Sequence, residues 1–375
     1  MRTPPFPRAV LAASLLASVA GLSQAAEGFK VRYPLSGSLG GEIVAPVDNP
    51  GFFGSIVVTD IDIDKLTDST GNARQQTVSG AFATPTAIAG AVRRATYSGI
   101  TLVDLKQKQT NANLFIGYLS EGLVGGGRWS LVVNLPYTTK LDRKLGITGS
   151  TPTLSTLSPA LTTPPLPAGT AAAAQAQAQA GFNTAYQAGL AAQAAANTGS
   201  VEGMGDAEVT AAWVYRKDNL KVIAGLTLAL PTGQYDANSA INIGFGNFYT
   251  LRPGVAVAYN ASPSWTLAAR GALAFNTRNR DNHLKSGDYI ALDLVAVYRS
   301  PIGVIGPHVL IVKQHEDDDG GTQGANRFSA SGAGIFYTTL IPGINAGLNL
   351  SYMKMIDARN ALSGSFTQVR ISKAF

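Results

Sequence analysis

Apolar side chains recur in this chain at every second residue, and that period leaves little besides β-strands to build from. Ile344, Ala346, Leu348, Leu350 and Tyr352 form one such row, with Asn345, Gly347, Asn349 and Ser351 between them. Leu220, Val222, Ala224, Leu226, Leu228 and Leu230 form another, interleaved with Lys221, Gly225 and Thr227. Trp129 to Tyr137, Trp265 to Phe275 and Ile290 to Tyr298 repeat the pattern. Period two gives each strand one apolar and one polar face. A soluble sandwich would alternate too, so the aromatic positions decide. They close the rows: Trp129 and Tyr137, Trp265 and Phe275, Tyr249 and Tyr259. Rows of about nine to eleven residues between aromatic girdles suit strands that cross a bilayer. Lipid offers nothing to an open backbone edge, so the expected fold is all-β, a closed transmembrane antiparallel β-barrel.

Composition supports export to a membrane. Only 14% of the 375 residues are charged and 45% are hydrophobic, whereas soluble domains carry about 25% charged residues. Cysteine is absent, which excludes disulfides, thiolate metal sites and a thiol nucleophile. Arg2 and Arg8 precede an apolar stretch, Val10 to Leu22, and the small-residue site Ser23-Gln24-Ala25. That reads as a secretory signal peptide over residues 1–25. Loss of its two arginines takes the formal charge from +6 to +4. No later apolar run reaches the ~18 residues of a membrane helix, so the exported chain must cross with strands.

Counted back from the C-terminus, strands fall near 363–375, 343–355, 326–338, 303–315, 286–300, 264–277, 247–261, 219–230, 203–217, 127–137, 111–119 and 96–107. These make twelve, and a further hairpin of 55–64 with 75–82 would make fourteen. Short joins (Ser300-Pro301, Ala261 to Pro263, Lys217 to Asn219) alternate with long ones, as short periplasmic turns alternate with long external loops. A tight join near Thr110 departs from that rule. The expected organisation is a plug-like N-terminal segment at 26–54, a barrel over 55–375, and an external insert at 145–201. The insert carries no charged residue, and its Ala/Gln tract from Ala171 to Ala196 suits either a helix or a flexible low-complexity loop.

Alternation places Arg128, Arg252, Arg270, Asp293, Arg299 and Arg370 on the lumen face. There they either form a cationic, anion-selecting lining or pair with one another. Asp60, Asp62 and Asp64 join them if 55–64 is wall. Tyr235, Phe245, Phe248 and Tyr249 are candidates for solute capture. The run Glu316-Asp317-Asp318-Asp319-Gly320-Gly321 resembles part of a calcium loop but lacks its spacing and closing glutamate. No metal and no cofactor is therefore expected. Catalysis would have to use His283, His308 or His315, none at a diagnostic spacing from a carboxylate or serine, so no enzyme is expected. Basic residues are scattered through the strands and form no run suited to nucleic acid.

Two stretches carry a resemblance. The chain ends on Phe375, after Val369 and Ile371 on one strand face, which resembles the signal read by the bacterial barrel assembly machinery; Lys373 interrupts that face. Leu230-Pro231-Thr232-Gly233-Gln234-Tyr235-Asp236 is followed by Asn242-Ile243-Gly244, Arg252-Pro253-Gly254, Gly287-Asp288-Tyr289, Ile305-Gly306-Pro307 and Lys313-Gln314. This order resembles the family described as "Putative MetA-pathway of phenol degradation", over residues 90–375 without the Ala/Gln insert. The resemblance implies an outer-membrane channel for passive uptake of small hydrophobic or aromatic compounds. Its surroundings would be outer-membrane lipid and lipopolysaccharide. A general or anion-selective porin and a structural or adhesive barrel are the alternatives.

Overall fold

The computed structural model describes residues 49–84, 91–159, 168–320 and 327–375. The signal peptide and the plug-like segment up to residue 48 lie outside them. In chain order the elements are β1 (Gly51–Leu66), β2 (Gln75–Ala83), β3 (Arg93–Leu119), β4 (Gly127–Thr148), β5 (Ser158–Pro159), α1 (Ala168–Ala196), β6 (Gly199–Met204), β7 (Glu208–Lys217) and β8 (Leu220–Ala229). There follow β9 (Thr250–Asn260), β10 (Trp265–Asn276), β11 (Tyr289–Ser300), β12 (Gly303–Gln314), β13 (Ser329–Ile341), β14 (Ala346–Arg359) and β15 (Leu362–Ala374). Contacts divide the chain into two compact units. One holds residues 73–104 and 144–198, and the other 49–72, 105–143 and 199–375 within the described range. Strands β3 and β4 contribute to both.

The larger unit is a closed antiparallel barrel of twelve strands. Its ring runs β3-β1-β15-β14-β13-β12-β11-β10-β9-β8-β7-β4 and closes by pairing β4 with β3. Of the twelve or fourteen strands expected, twelve form the ring, since β2 pairs with β3 and adds nothing to it. Two expectations change. The segments 96–107 and 111–119 are one 27-residue strand, so the anomalous join near Thr110 does not exist. Residues 51–54, assigned to the plug-like segment, open β1, where Phe53 pairs with Gly117 and Ala374. The ring closes at the chain's end too: the Phe375 amide donates to the Phe52 carbonyl, 2.8 Å away.

The outward faces are the apolar rows. Leu226, Leu228, Val255, Val257, Leu267, Leu273, Ile290, Leu294, Leu350 and Val369 are exposed, which in water would be costly and in lipid is the low-energy arrangement. Aromatics sit at the end with short turns: Trp265 pairs across strands with Tyr298, ring centroids 5.1 Å apart, and Phe52 with Tyr118 at 5.0 Å. Asp60, Asp62 and Asp64 share the outward face of β1 with Ile56 and Val58, so they do not line the lumen. Asp62 lies 3.9 Å from Lys108, both well exposed.

The smaller unit resolves the Ala/Gln tract as a helix. Ala174, Ala178, Phe182, Tyr186 and Leu190 recur every fourth residue and are buried with Val78, Phe82 and Tyr97. The Phe182 ring meets Tyr97 at 4.7 Å and Phe82 at 5.4 Å. Glutamines on the same helix bind irregular main chain. The Leu154 and Leu157 amides donate to the Gln179 and Gln175 side-chain oxygens at 2.8 and 2.9 Å, and Gln179 donates to the Pro152 carbonyl at 3.0 Å. Alanine thus lets the helix approach closely, and glutamine satisfies the loop beneath it.

Candidate functional site

The candidate site is the barrel's inner surface with the long loops at its open end. Residues of opposite parity to the lipid rows point inward, and two pairs of opposite charges meet there. Glu208 on β7 accepts from Arg252 on β9 at 2.8 Å, across the intervening β8. The same carboxylate accepts from Asn134 on β4 at 3.3 Å, and Asn134 in turn accepts from Asn113 on β3 at 3.0 Å. A polar chain therefore follows the inner wall from β3 to β9. On β10 and β11, Arg270 faces Asp293 in register and binds its Oδ2 through Nη2 at 2.6 Å and Nε at 2.8 Å.

The other sequence candidates take different places. Arg299, near the short-turn end, donates to Thr266 and to the Asn260 side-chain oxygen. Arg128 caps the β3–β4 turn by donating to the carbonyls of Ser120 and Glu121. Arg370 is buried on the inner face of β15, in register with Asn349 and Val57. Glu208, Asn134, Asn113 and Asp206 were not singled out from sequence. Glu208 was within reach of that reading, since it stands one alternation step from Thr210 on an assigned strand; the asparagines carry no charge to draw attention. His308, the histidine on the inner face, has Nε2 3.3 Å from the Tyr352 carbonyl and 3.5 Å from the Ser351 hydroxyl.

Apolar side chains form two buried clusters on the inner surface between β9 and β14. Tyr289, Leu310, Val312, Phe328, Met353 and Met355 form one buried cluster toward the long-loop end. Ala256, Ala258, Ala268, Val295, Val297 and Phe336 form another toward the short turns. The inner wall thus carries its polar chain from β3 to β9, while β11 to β14 add apolar clusters among buried polar residues such as Asp293, His308 and Asn349.

The loop between β8 and β9, residues 230–249, carries the capture candidates and is held by one carboxylate. Asp206 accepts the amides of Gly233 at 2.9 Å and Phe245 at 3.0 Å, pinning both arms of the loop. These arms touch closely enough that a Cβ on Gly233 would lie 2.8 Å from the Gly244 Cα, so glycine is required there. Arg143 on β4 donates to the Ala240 carbonyl at 2.9 Å, drawing the loop tip toward that strand. Tyr235 accepts from Asn279 at 3.0 Å and from Asn282 at 3.3 Å, which ties it to the β10–β11 loop. Phe248 is buried, Phe245 is half-buried, and Arg280 lies over the Tyr249 ring at 5.1 Å. Tyr235 and Tyr249 thus join this loop to the one between β10 and β11.

The acidic run belongs to the same assembly. Glu316 accepts from Lys285 at 2.6 Å, Asp317 from Arg327 at 2.7 Å, Asp318 from the Gly287 amide at 2.8 Å, and Asp319 pairs with Arg278. Each carboxylate therefore joins the β10–β11 loop or the base of β13. The hydrogen bond from Lys285 holds Glu316 below the usual carboxylate range, and Arg327 does the same for Asp317. Burial opposes the charge on Lys285, yet Glu316 and Asp288 hold its ammonium above the usual lysine range.

This geometry meets its relatives in one family. The model of the family described as "Putative MetA-pathway of phenol degradation" matches residues 107–371. The chain belongs to this family. An outer membrane channel from Pseudomonas putida F1 shares the fold at a TM-score of 0.59 with 14% identity, covering 88% of this chain and 100% of that one. The CymD monoaromatic hydrocarbon channel aligns at a TM-score of 0.39 with 12% identity, covering 95% and 98%. No curated protein sequence matches the chain. Family and fold together place this barrel in the bacterial outer membrane.

Proposed function

We propose that the barrel is a channel for passive uptake of small, uncharged aromatic or hydrophobic compounds. The observation that carries this reading is the pairing of the lumen charges. Arg252 and Arg270, two members of the suspected cationic lining, are neutralised by Glu208 and Asp293, and Asp293 lies in register with Leu310 of a buried apolar cluster that includes Val312, Phe328 and Met353. These two ion pairs reduce the positive charge along the described inner wall, which disfavours an anion-selective porin. The mechanism is entry past the Asp206-held loop, passage along the apolar wall, and release without a chemical step. The segment at 26–48 acts as a plug in this reading, and lipopolysaccharide surrounds the external end. Phe375 marks the chain for the barrel assembly machinery.

The test is single-channel conductance of refolded, signal-free protein, beside uptake of radiolabelled toluene by cells expressing it. Small or rare openings with toluene uptake above an empty-vector control are expected. Large, steady anion-selective steps without toluene uptake would move the assignment to a porin.

A further inference from the structure

A half-buried cation at the loop end of the barrel has no carboxylate to answer it. Arg143 on β4 donates through Nε to the Gln107 side-chain oxygen at 2.9 Å and through Nη1 to the Ala240 carbonyl at 2.9 Å. Both acceptors are neutral, and Nη2 has no acceptor among the described residues. Asp142, next in the chain, pairs with Lys140 at 2.7 Å. Deeper in the barrel, Arg252 and Arg270 each meet a carboxylate. On Arg143 burial acts alone, and it pushes the guanidinium below the usual arginine range. Taking a cation out of water without a counter-charge is costly, so this position calls for an anion that the chain does not supply.

The neighbouring side chains hold that arrangement in place. The Gln107 amide donates to Gln109 at 3.0 Å, Gln109 donates to Asn111 at 2.9 Å, and the Thr138 hydroxyl donates to the same Asn111 oxygen at 2.8 Å. This chain turns the Gln107 oxygen toward Arg143, so the partner it offers is a dipole and not a charge. The other flank is apolar. Arg143 pairs across the strands with Gly199, and a Cβ on Gly199 would lie 3.4 Å from the Ile241 side chain, so Ile241 stands over the place where a side chain is missing. Ile241 is buried, as is Leu141, two residues from Arg143 on β4. A guanidinium fork beside aliphatic side chains fits a molecule with one anionic end and an apolar body.

We propose that Arg143 forms a capture subsite for aromatic monocarboxylates at the loop end of the barrel, with the carboxylate on Nη2 and the ring toward Ile241 and Leu141. This inference rests on the channel reading above and adds an anionic class to its uncharged solutes. Arginine presents its N–H groups as a planar fork that matches a carboxylate, so the bound acid supplies the missing counter-charge and its hydrogen bonds together. One such cation binds one carboxylate without lining the path below it, since Arg252 already has Glu208.

The probe is benzoate, titrated calorimetrically at neutral pH into refolded, signal-free protein in an uncharged detergent. Wild type is expected to bind it, Arg143→Gln to bind at least about tenfold more weakly, and Arg143→Lys to fall between them. Gln107→Glu places a carboxylate where the amide oxygen now meets Nε, which keeps that bond and supplies the counter-charge from within. It is expected to weaken benzoate by about tenfold as well. Because the guanidinium and its hold on Ala240 remain in Gln107→Glu, this variant separates loss of an anion subsite from displacement of the loop. Folding of each variant is verified by heat-dependent gel migration, and toluene uptake by cells expressing the wild type is measured in parallel. Absence of benzoate binding to wild type, or unchanged affinity in Arg143→Gln or in Gln107→Glu, would overturn the subsite; toluene uptake above the empty vector would then leave the channel standing. Toluene uptake at the vector rate would overturn the channel reading and this inference with it.

Discussion

Replacing Asp206 by alanine removes both bonds that pin the loop between β8 and β9. The Gly233 and Phe245 amides donate to separate oxygens of this buried carboxylate at 2.9 and 3.0 Å. A hydrogen bond to a charged partner contributes about 1.5–3 kcal/mol, and the lower figure applies here because water can reach part of the loop once it lifts. Two such bonds amount to about 3 kcal/mol in favour of the held loop. At about 1.4 kcal/mol per factor of ten, the lifted population should rise roughly a hundredfold in Asp206→Ala. Asparagine keeps one acceptor oxygen, so Asp206→Asn should raise it only about tenfold. Open probability in a planar bilayer measures this directly, on protein whose folding is verified by its heat-dependent gel shift. Equal open probabilities in wild type and both variants would refute the carboxylate as the element that holds the loop.

Four further outcomes are expected. Glu316 and Asp317 are depressed in the folded state, so their ion pairs stabilise the loops above the ordinary carboxylate range and that stability is lost as pH falls through the depressed values; proteolysis between residues 277 and 320 should therefore accelerate only below about pH 4. Glu208→Gln leaves the buried Arg252 without its counter-charge, which should cost about 3–5 kcal/mol in stability and shift the reversal potential toward anion selectivity. Deleting residues 27–48 should raise leak conductance, and an unchanged conductance would remove this segment from any gating role. Phe182→Ala empties a fully buried position against Tyr97 and Phe82, and a loss of about 3–5 kcal/mol should appear as faster hydrogen exchange over α1 with the barrel strands still protected.

Strand positions were legible in the sequence wherever one face meets lipid and the other does not. The reading failed where that contrast ends. Around Thr110, β3 is polar on both faces: Lys106, Lys108 and Thr110 point outward, while Gln107, Gln109 and Asn111 are partly or wholly buried and bond along the strand at 3.0 and 2.9 Å. A strand leaving the bilayer thus looks like a turn, and one strand was counted as two. The same exit misplaced Asp60 to Asp64. Val58 pairs with Ala112 and Val369, and one step farther Asp60 pairs with Thr110 and Thr367, so a single outward row passes from apolar to charged. Period alone keeps the face but does not mark where lipid stops.

The lumen shows a second kind of limit. Alternation assigned Arg252 and Arg270 to the inner face, yet which partner each meets depends on strand stagger. Arg270 reaches Asp293 on the neighbouring strand, directly across the ladder. Arg252 instead passes β8 to reach Glu208 on β7, because Glu208 pairs with Ala229 while Arg252 pairs with Thr227, two residues lower on the same strand. That offset comes from strand tilt, which a closed barrel imposes and no single strand records. The functional consequence follows from the partners and not from the count of arginines. Had the stagger slipped by one pair, Arg252 would stand alone over the channel, and the same sequence would line a path for anions. Glu208→Gln removes that counter-charge in the native register, so its ion selectivity tests whether charge pairing is what limits the positive charge of the lumen.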